Sequence, residues 1–271
     1  MSWSEEVKVR FSDREDAEKW DQMYEGEAAT LEEEFFRMRR DFTVRYLTDR
    51  FDKTIPICDL GCGAAPVTYE MLKRGHNIVG ADYSLDMLMN AKRRLIAGGI
   101  SDRPLVNCNG ETLPFQDEMF DCVVCLGVIS YVENYENIIK EINRILKPGG
   151  TVLISFRSKY NLISNDPVSL LKNIVNMTLI ALRLREPDKF RIGHYMICRE
   201  VMQTVQSNGF KFETFKGIGF GPYSVWGNKF LGIKNAIRFS NFVTRTAERF
   251  GLNFLFKIAS DVNILIYTKD N

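Results

Sequence analysis

The chain has 271 residues, 45% of them hydrophobic and 26% charged, with a formal net charge of +1. This is the balance of a globular protein, long enough for one domain with elaborations and a sizeable core. No uninterrupted apolar run of about 18 residues occurs, which excludes a transmembrane helix. The start, Met1-Ser2-Trp3-Ser4-Glu5-Glu6, lacks the basic and apolar regions of a secretory signal, so the expected location is cytoplasmic.

Helices are expected first. Asp13 to Tyr24 and Thr30 to Phe51 are rich in Glu, Arg and spaced aromatics, and Thr30 with Glu33 has capping-box spacing. From Ile55 the pattern alternates between strand and helix. Ile55 to Leu60 reads as a buried strand ending in a glycine turn. Pro66 to Arg74 reads as a helix stopped by Gly75. Asn77 to Asp82 is the second strand, and Ser84 caps a helix running to Ala97. Leu105 to Asn109 and Phe120 to Leu126 are further strands, the latter apolar enough to be buried on both faces. Asn137 to Leu146 is a helix closed by a Lys147-Pro148-Gly149-Gly150 turn, and Thr151 to Phe156 is the fifth strand. This rhythm predicts a parallel, doubly wound α/β sheet. After Arg157 the rhythm breaks. An insertion with an apolar helical stretch, Val168 to Leu184, precedes a helix from Arg199 to Ser207. Phe210 to Phe215 is a strand, a second insertion runs from Lys216 to about Ser260, and Val262 to Thr268 is the last strand. The expected division is a helical cap over 1–54, a core over 55–157, and a half over 158–271 with insertions at 158–190 and 216–260.

The charge is unevenly spread. Residues 158–271 hold 16 basic and 8 acidic side chains, against 10 and 15 in residues 1–54. Such a bias steers an anionic ligand or a membrane surface, or is simply a solvated basic face. Among the six cysteines, Cys122 and Cys125 form a CxxC. It lacks a second pair or a histidine cluster and sits in an apolar strand, so both are expected to be reduced core residues. No acidic cluster suggests a catalytic magnesium ion, and no metal site is expected.

The turn Asp59-Leu60-Gly61-Cys62-Gly63 carries the strongest chemical signal. Gly61 and Gly63 allow a tight turn and close approach of a ligand, and the next helix presents backbone N–H groups. Asp82 ends the second strand about twenty residues later, where a carboxylate accepts both ribose hydroxyls of a nucleoside. Three segments follow in order: Asn109-Gly110-Glu111-Thr112-Leu113-Pro114-Phe115 with Phe120-Asp121, then Leu126-Gly127-Val128, then Leu146-Lys147-Pro148-Gly149-Gly150. Together these resemble the class I S-adenosylmethionine-dependent methyltransferases, in particular the small-molecule branch that includes quinone-biosynthesis enzymes. The resemblance covers residues 55–157; beyond it, His194-Tyr195 to Glu200-Val201 and Asn208-Gly209-Phe210 resemble the family's later helix and strand. Two residues depart from the family pattern: Ala65 stands for a third glycine, and Asn109 for an aspartate near the adenine.

The resemblance implies a Rossmann-like, mostly parallel seven-stranded sheet with an N-terminal helical cap and insertions before and after strand 6. It also implies S-adenosylmethionine as cofactor. Asp59, Gly61, Cys62 and Gly63 then face its methionine part, and Asp82 holds the ribose. Tyr83 and Met87 lie beside the adenine, and Asn109, Gly110 and Glu111 line its edge. Leu126 and Gly127 offer backbone contacts near the sulfonium, and Tyr24 closes over the cofactor. Plainer roles stand beside these: Asp59 as an anchor of the turn, Met87 as helix core, and Tyr24 as packing of the cap. Methyl transfer needs alignment and exclusion of water more than acid–base help. His194 and Tyr131 are the candidate catalytic residues, His194 as a general base and Tyr131 to orient the acceptor.

The expected function is methyl transfer to a small-molecule acceptor, at oxygen before nitrogen or carbon. A catalytically silent nucleoside-binding or scaffolding protein of the same fold is one alternative, supported by Asn109 and Ala65. An NAD-dependent oxidoreductase is another, disfavoured by the Leu-Pro-Phe and Leu-Lys-Pro-Gly-Gly segments. The acceptor pocket is expected in the two insertions. Residues 226–258 interleave aromatics such as Phe230, Phe239 and Phe242 with Lys229, Arg238 and Arg245. That mixture suits a lid or homodimer surface, or a peripheral membrane contact with a lipid-like or anionic acceptor. No nucleic-acid partner is expected, because no binding module is present.

Overall fold

A computed structural model describes residues 23–24, 28, 30–100, 104–159, 195–219, 224–225, 228–229, 232–252 and 260–270. The helix expected over 168–184 lies outside these residues, as do residues 13–22 of the one expected over 13–24, whose last two residues, Met23 and Tyr24, form a turn instead; His194, Phe230, Trp226, Phe254, Phe256 and Lys257 also lie outside. By its contacts the chain divides into two units. One comprises residues 1–156, 199–215 and 264–271, and the other 157–198 and 216–263.

In the first unit, helix α1 spans Leu31–Arg50. The Thr30 hydroxyl oxygen accepts the Glu33 N–H at 3.1 Å, and Glu32, Glu33 and Glu34 face the positive end of the helix dipole. Strand β1 (Ile57–Leu60), helix α2 (Pro66–Lys73), strand β2 (Ile78–Asp82) and helix α3 (Leu85–Ala97) follow. Ser84 caps α3 by accepting the Met87 N–H at 3.2 Å. Strand β3 is Leu105–Asn107 and β4 Phe120–Leu126. The third strand is shorter than expected because Asn109 turns back to form an isolated antiparallel bridge with Thr112.

Helix α4 (Tyr135–Ile145) buries Ile138, Ile139, Ile142 and Ile145 on one face. Strand β5 (Leu146–Arg157) begins at once. The turn expected at Lys147 to Gly150 is therefore absorbed into a strand as an irregularity. Phe120 pairs with Leu146 and Cys122 with Thr151, and Gly149 takes a φ of 72° within the bulge. Helix α5 (Cys198–Ser207), strand β6 (Phe210–Ile218), two short strands β7 (Ser224–Val225) and β8 (Asn228–Lys229), helix α6 (Ile233–Arg249) and strand β9 (Val262–Lys269) complete the described elements.

The sheet has seven strands in the order β3-β2-β1-β4-β5-β9-β6, and the five from β3 to β5 run parallel. Their carboxyl ends share one edge, the position at which doubly wound sheets bind ligands. One core cluster joins Val44 and Leu47 of α1 with Ile57, Val67, Met71, Ile78, Cys122 and Val124. Cys122 and Cys125 are free and fully buried, and burial pushes the Cys125 thiol up to about 12.

The second unit contains the β7–β8 antiparallel ribbon and α6. Within it, Ser158 bridges Met196, and the Arg157 guanidinium lies 5.3 Å from the Tyr195 ring centre. Helix α6 buries Ala236 and Ser240 and exposes Phe239 and Phe242. Among the described residues, no helix is long and apolar enough to cross a membrane.

Candidate active site

The edge formed by the ends of β1, β2 and β4 gathers most of the residues singled out in the sequence. Gly61 and Gly63 adopt φ values of 70° and 55°, the left-handed region open to glycine. A Cβ on Gly61 would come within 2.0 Å of the Val128 side chain. Ala65 takes the third glycine's place with φ 57° and ψ 45°, so the turn keeps its shape at the cost of a strained alanine.

The turn consumes its own donors. The Gly61 and Cys62 N–H groups both donate to the Ala81 carbonyl, at 2.7 and 3.1 Å. The Gly63 N–H donates to Asp82 Oδ2 and the Ser84 N–H to Asp82 Oδ1, each at 2.8 Å. Asp82 is thus oriented by the backbone on both oxygens. Burial raises its pKa, opposed by the Ser84, Gly63 and Tyr83 N–H groups.

Asp59 is 3% exposed and accepts the Thr68 hydroxyl at 2.7 Å. Burial pushes its carboxyl up to about 6. Hydrogen bonds from the Thr68 hydroxyl and N–H hold it down, the Asp82 charge raises it, and the Arg39 charge lowers it. The plainer reading of Asp59 as an anchor of the turn therefore has a direct structural basis.

Around them, Met87 is buried, with its methyl 3.4 Å from where a Gly63 Cβ would lie, and Tyr83 is 46% exposed. Asn109 spends its side-chain oxygen on the Glu111 N–H at 3.1 Å, and Glu111 accepts from the Asn137 amide at 3.3 Å. Gly110 packs on Ile138, half-buried. Gly127 has a φ of 81° and donates its N–H to the Ser155 carbonyl at 2.9 Å. Tyr131 closes a short 3₁₀ turn, Ile129–Tyr131, after β4. Tyr24, Asp59, Gly61, Cys62 and Leu126 line one cleft together with Arg39, Arg40, Pro66 and Val67.

Arg39 and Arg40 escaped the sequence reading. Arg40 lies 5.8 Å from the Tyr24 ring centre. Arg39 is 8% exposed, on the same face of α1 as Phe36, Thr43 and Leu47. An arginine at apolar-face spacing was the signal that marks it.

Other motif residues turn out to be braces. The Arg144 guanidinium donates to the Leu113 and Phe115 carbonyls at 3.0 and 2.8 Å, and pairs with Glu141 and Asp117. Glu141 in turn accepts the Leu113 N–H at 2.7 Å. Phe115 packs edge-on against Phe120 at 5.1 Å. The Lys147 ammonium donates to Asp121 at 2.6 Å, joining the Phe-Asp strand to the Leu-Lys-Pro-Gly-Gly segment.

This architecture is that of the class I methyltransferase fold, a Rossmann-like seven-stranded sheet with flanking helices. Residues 58–154 match the family described as methyltransferase domain. Over 118 residues the chain is 33% identical to the demethylmenaquinone methyltransferase of Bacillus subtilis, covering 42% of this chain and 49% of that protein. It is 29% identical over 109 residues to sterol 4-C-methyltransferase strm-1 of Caenorhabditis elegans, covering 40% and 31%. The chain thus spans about half or less of the length of these relatives. Among solved structures, magnesium protoporphyrin IX methyltransferase from Synechocystis with bound S-adenosylhomocysteine superposes with a TM-score of 0.65 at 14% identity, covering 97% and 98% of the two chains. The [4+2]-cyclase SpnF superposes with a TM-score of 0.55 at 16% identity, covering 85% and 81%. A fold shared with a cyclase does not select the reaction; the site must.

Proposed function

We propose that the protein transfers a methyl group from S-adenosylmethionine to a small-molecule acceptor, with oxygen preferred over nitrogen or carbon. One observation carries this reading: the glycine turn leaves little for a diphosphate and presents two carboxylates, Asp59 and Asp82. A dinucleotide site needs free N–H groups at the helix start for its pyrophosphate. Here Pro66 has none, the Gly63 N–H is held by Asp82, and the Thr68 N–H by Asp59. Buried negative charge beside the turn repels a pyrophosphate and suits a nucleoside attached to a sulfonium. This also weighs against the oxidoreductase alternative.

In this reading Asp82 accepts the ribose hydroxyls. Gly61 and Gly63 let the ligand lie against the backbone, while Met87, Tyr83, Asn109, Gly110 and Glu111 border the base. Bound S-adenosylmethionine supplies an activated methyl carbon, and the leaving sulfur takes the electron pair of the broken bond. The residues align the acceptor in line with that bond and keep water out. In the same reading Tyr131, in the 3₁₀ turn that follows β4, orients the acceptor.

Calorimetry with S-adenosylmethionine, S-adenosylhomocysteine and NADH tests the reading. Binding of the first two without NADH is the expected result. NADH binding with no response to the others overturns it. Binding without S-adenosylhomocysteine release across an acceptor screen selects the silent scaffold instead.

A second reading concerns the partner surface. On α6, Phe239 and Phe242 are exposed, at 40% and 67%, beside exposed Arg238, Arg245 and Arg249, and Phe250 just beyond is 69% exposed. Aromatics and arginines on one helix face suit an anionic lipid surface. We propose that this helix rests on such a membrane and brings the enzyme to a lipid-like acceptor. Co-sedimentation with phosphatidylserine vesicles, lost in Phe242→Glu and at high salt, is expected. No pelleting, together with dimers by light scattering, replaces the membrane by a second copy of the chain.

A further inference from the structure

Helix α3 carries a second apolar row that the fold does not use. Its inner side chains Met87, Leu88, Ala91 and Leu95 are buried. On its outer side Leu85, Met89 and Ile96 are 62%, 54% and 50% exposed. A surface helix needs one apolar face to join a core, and scattered exposed side chains need no explanation. These three are not scattered. At about 3.6 residues per turn they fall within about 40° of one another, in a row about 16 Å long.

The spacing identifies the row. Positions 85, 89, 92 and 96 step by four, three and four residues, the d, a, d, a spacing of a coiled-coil seam. Leu85, Met89 and Ile96 fill three of the places and Lys92 the fourth. Lys92 and Arg93 are exposed, and the helical repeat sets them on either side of the apolar side chains. Among the described residues Lys92 makes no hydrogen bond or ion pair, while Arg93 bonds to Asn90 of its own helix. The one acidic residue of α3, Asp86, stands in the first turn, where the helix dipole favours it. The seam is apolar with an uncompensated cation in its middle.

That charge decides the occupant. A second copy laid on the seam in parallel opposes Lys92 to Lys92. An antiparallel copy brings both Lys92 and both Arg93 side chains together about the two-fold axis. Either pairing gathers like charges where lost hydration makes them costly. A bilayer face needs an apolar arc of about 100° or more, and this row is one side chain wide between two cations. A single α-helix fits: its own a and d side chains pack along the row, and a carboxylate at the facing position meets Lys92. We propose that α3 is a docking surface for an amphipathic helix of another protein, with one acidic residue in its seam opposite Lys92 and acidic residues beside Arg93. About three turns of contact make this a transient interaction, of micromolar rather than nanomolar affinity. The surface belongs to the first unit and does not depend on the cofactor reading.

The probe is a synthetic helix of about three heptads with Leu at a and d, Glu at the place facing Lys92 and Glu along one flank; its counterpart carries Lys in place of those Glu. Both peptides are titrated against the full chain as wild type, as Lys92→Glu combined with Arg93→Glu, and as Met89→Asp. Wild type is expected to bind the acidic peptide about tenfold or more tightly than the basic one. The double charge reversal is expected to invert that order, and Met89→Asp to bind neither. The substituted side chains are exposed, so the variants are expected to melt close to wild type, which separates lost docking from lost folding. If Met89→Asp does not fold, the inversion in the charge-reversed protein decides. Equal binding of the two peptides by wild type, or no binding, overturns the proposal. Wild-type dimers in light scattering that Met89→Asp disperses give the seam to a second copy. Pelleting with phosphatidylserine vesicles that Met89→Asp abolishes gives it to a membrane. Either result also overturns the proposal.

Discussion

Replacing Asp59 with Asn tests the electrostatics of the site through stability alone. The folded Asp59 carboxyl sits at about 6, above its ordinary value of 3.8, chiefly because it is buried. An acid raised in the folded state binds more protons folded than unfolded between those two values. Stability therefore falls as pH rises through that window and is lowest, for this group, above it. The shift corresponds to about 3 kcal/mol of lost stability at neutral pH. Asn keeps an oxygen for the Thr68 hydroxyl but does not titrate, so Asp59→Asn lacks this slope. Any fixed cost of an unpartnered amide is the same at every pH and drops out of the comparison. Urea unfolding of both proteins without ligand, from about pH 4.5 to pH 8, gives the difference directly. Relative to wild type, the variant is expected to gain about 2–3 kcal/mol across the range and to plateau above about pH 7. Parallel profiles refute the reasoning, because they mean that Asp59 ionises in the folded protein as easily as in the unfolded chain.

Gly61→Ala places a methyl 2.0 Å from Val128 in a left-handed backbone. A loss of about 2–5 kcal/mol in unfolding free energy is expected, and coupling with Val128→Ala in a double-mutant cycle recovers the steric part but not the backbone part. Arg144→Ala frees the Leu113 and Phe115 carbonyls and the Glu141 carboxylate. It is expected to cost about 1–3 kcal/mol and to raise hydrogen exchange at Leu113, whose N–H donates to Glu141; unchanged exchange there contradicts the bracing role. Thiol labelling of native protein is expected to reach half-buried Cys108 before Cys122 or Cys125, since the last two are fully buried and protonated. Rapid labelling of the CxxC pair in native protein contradicts its place in the core.

The sequence determined by itself what depends on neighbours along the chain. The strand and helix rhythm from Ile55 to Phe156, the Thr30 and Ser84 caps and the glycine turn all follow from local periodicity, side-chain capping and φ preference. The place of Asp82 was legible too, because the apolar strand pattern ends on it about twenty residues after the turn. What needed tertiary structure depends on residues distant in the chain. The place of β9 between β5 and β6 is a crossover that no local pattern encodes. The Lys147 to Gly150 segment becomes a bulged strand because β4 is there to pair with it. Leu113 to Phe115 is held by Arg144, about thirty residues on, and Asp121 by Lys147. Arg39 meets Gly127 and Ser155 across 116 residues in the latter case, so its charge in the cleft appears only once α1 packs on the sheet. Local patterns specify elements, whereas the balance of a buried charge is set by the groups that folding brings around it.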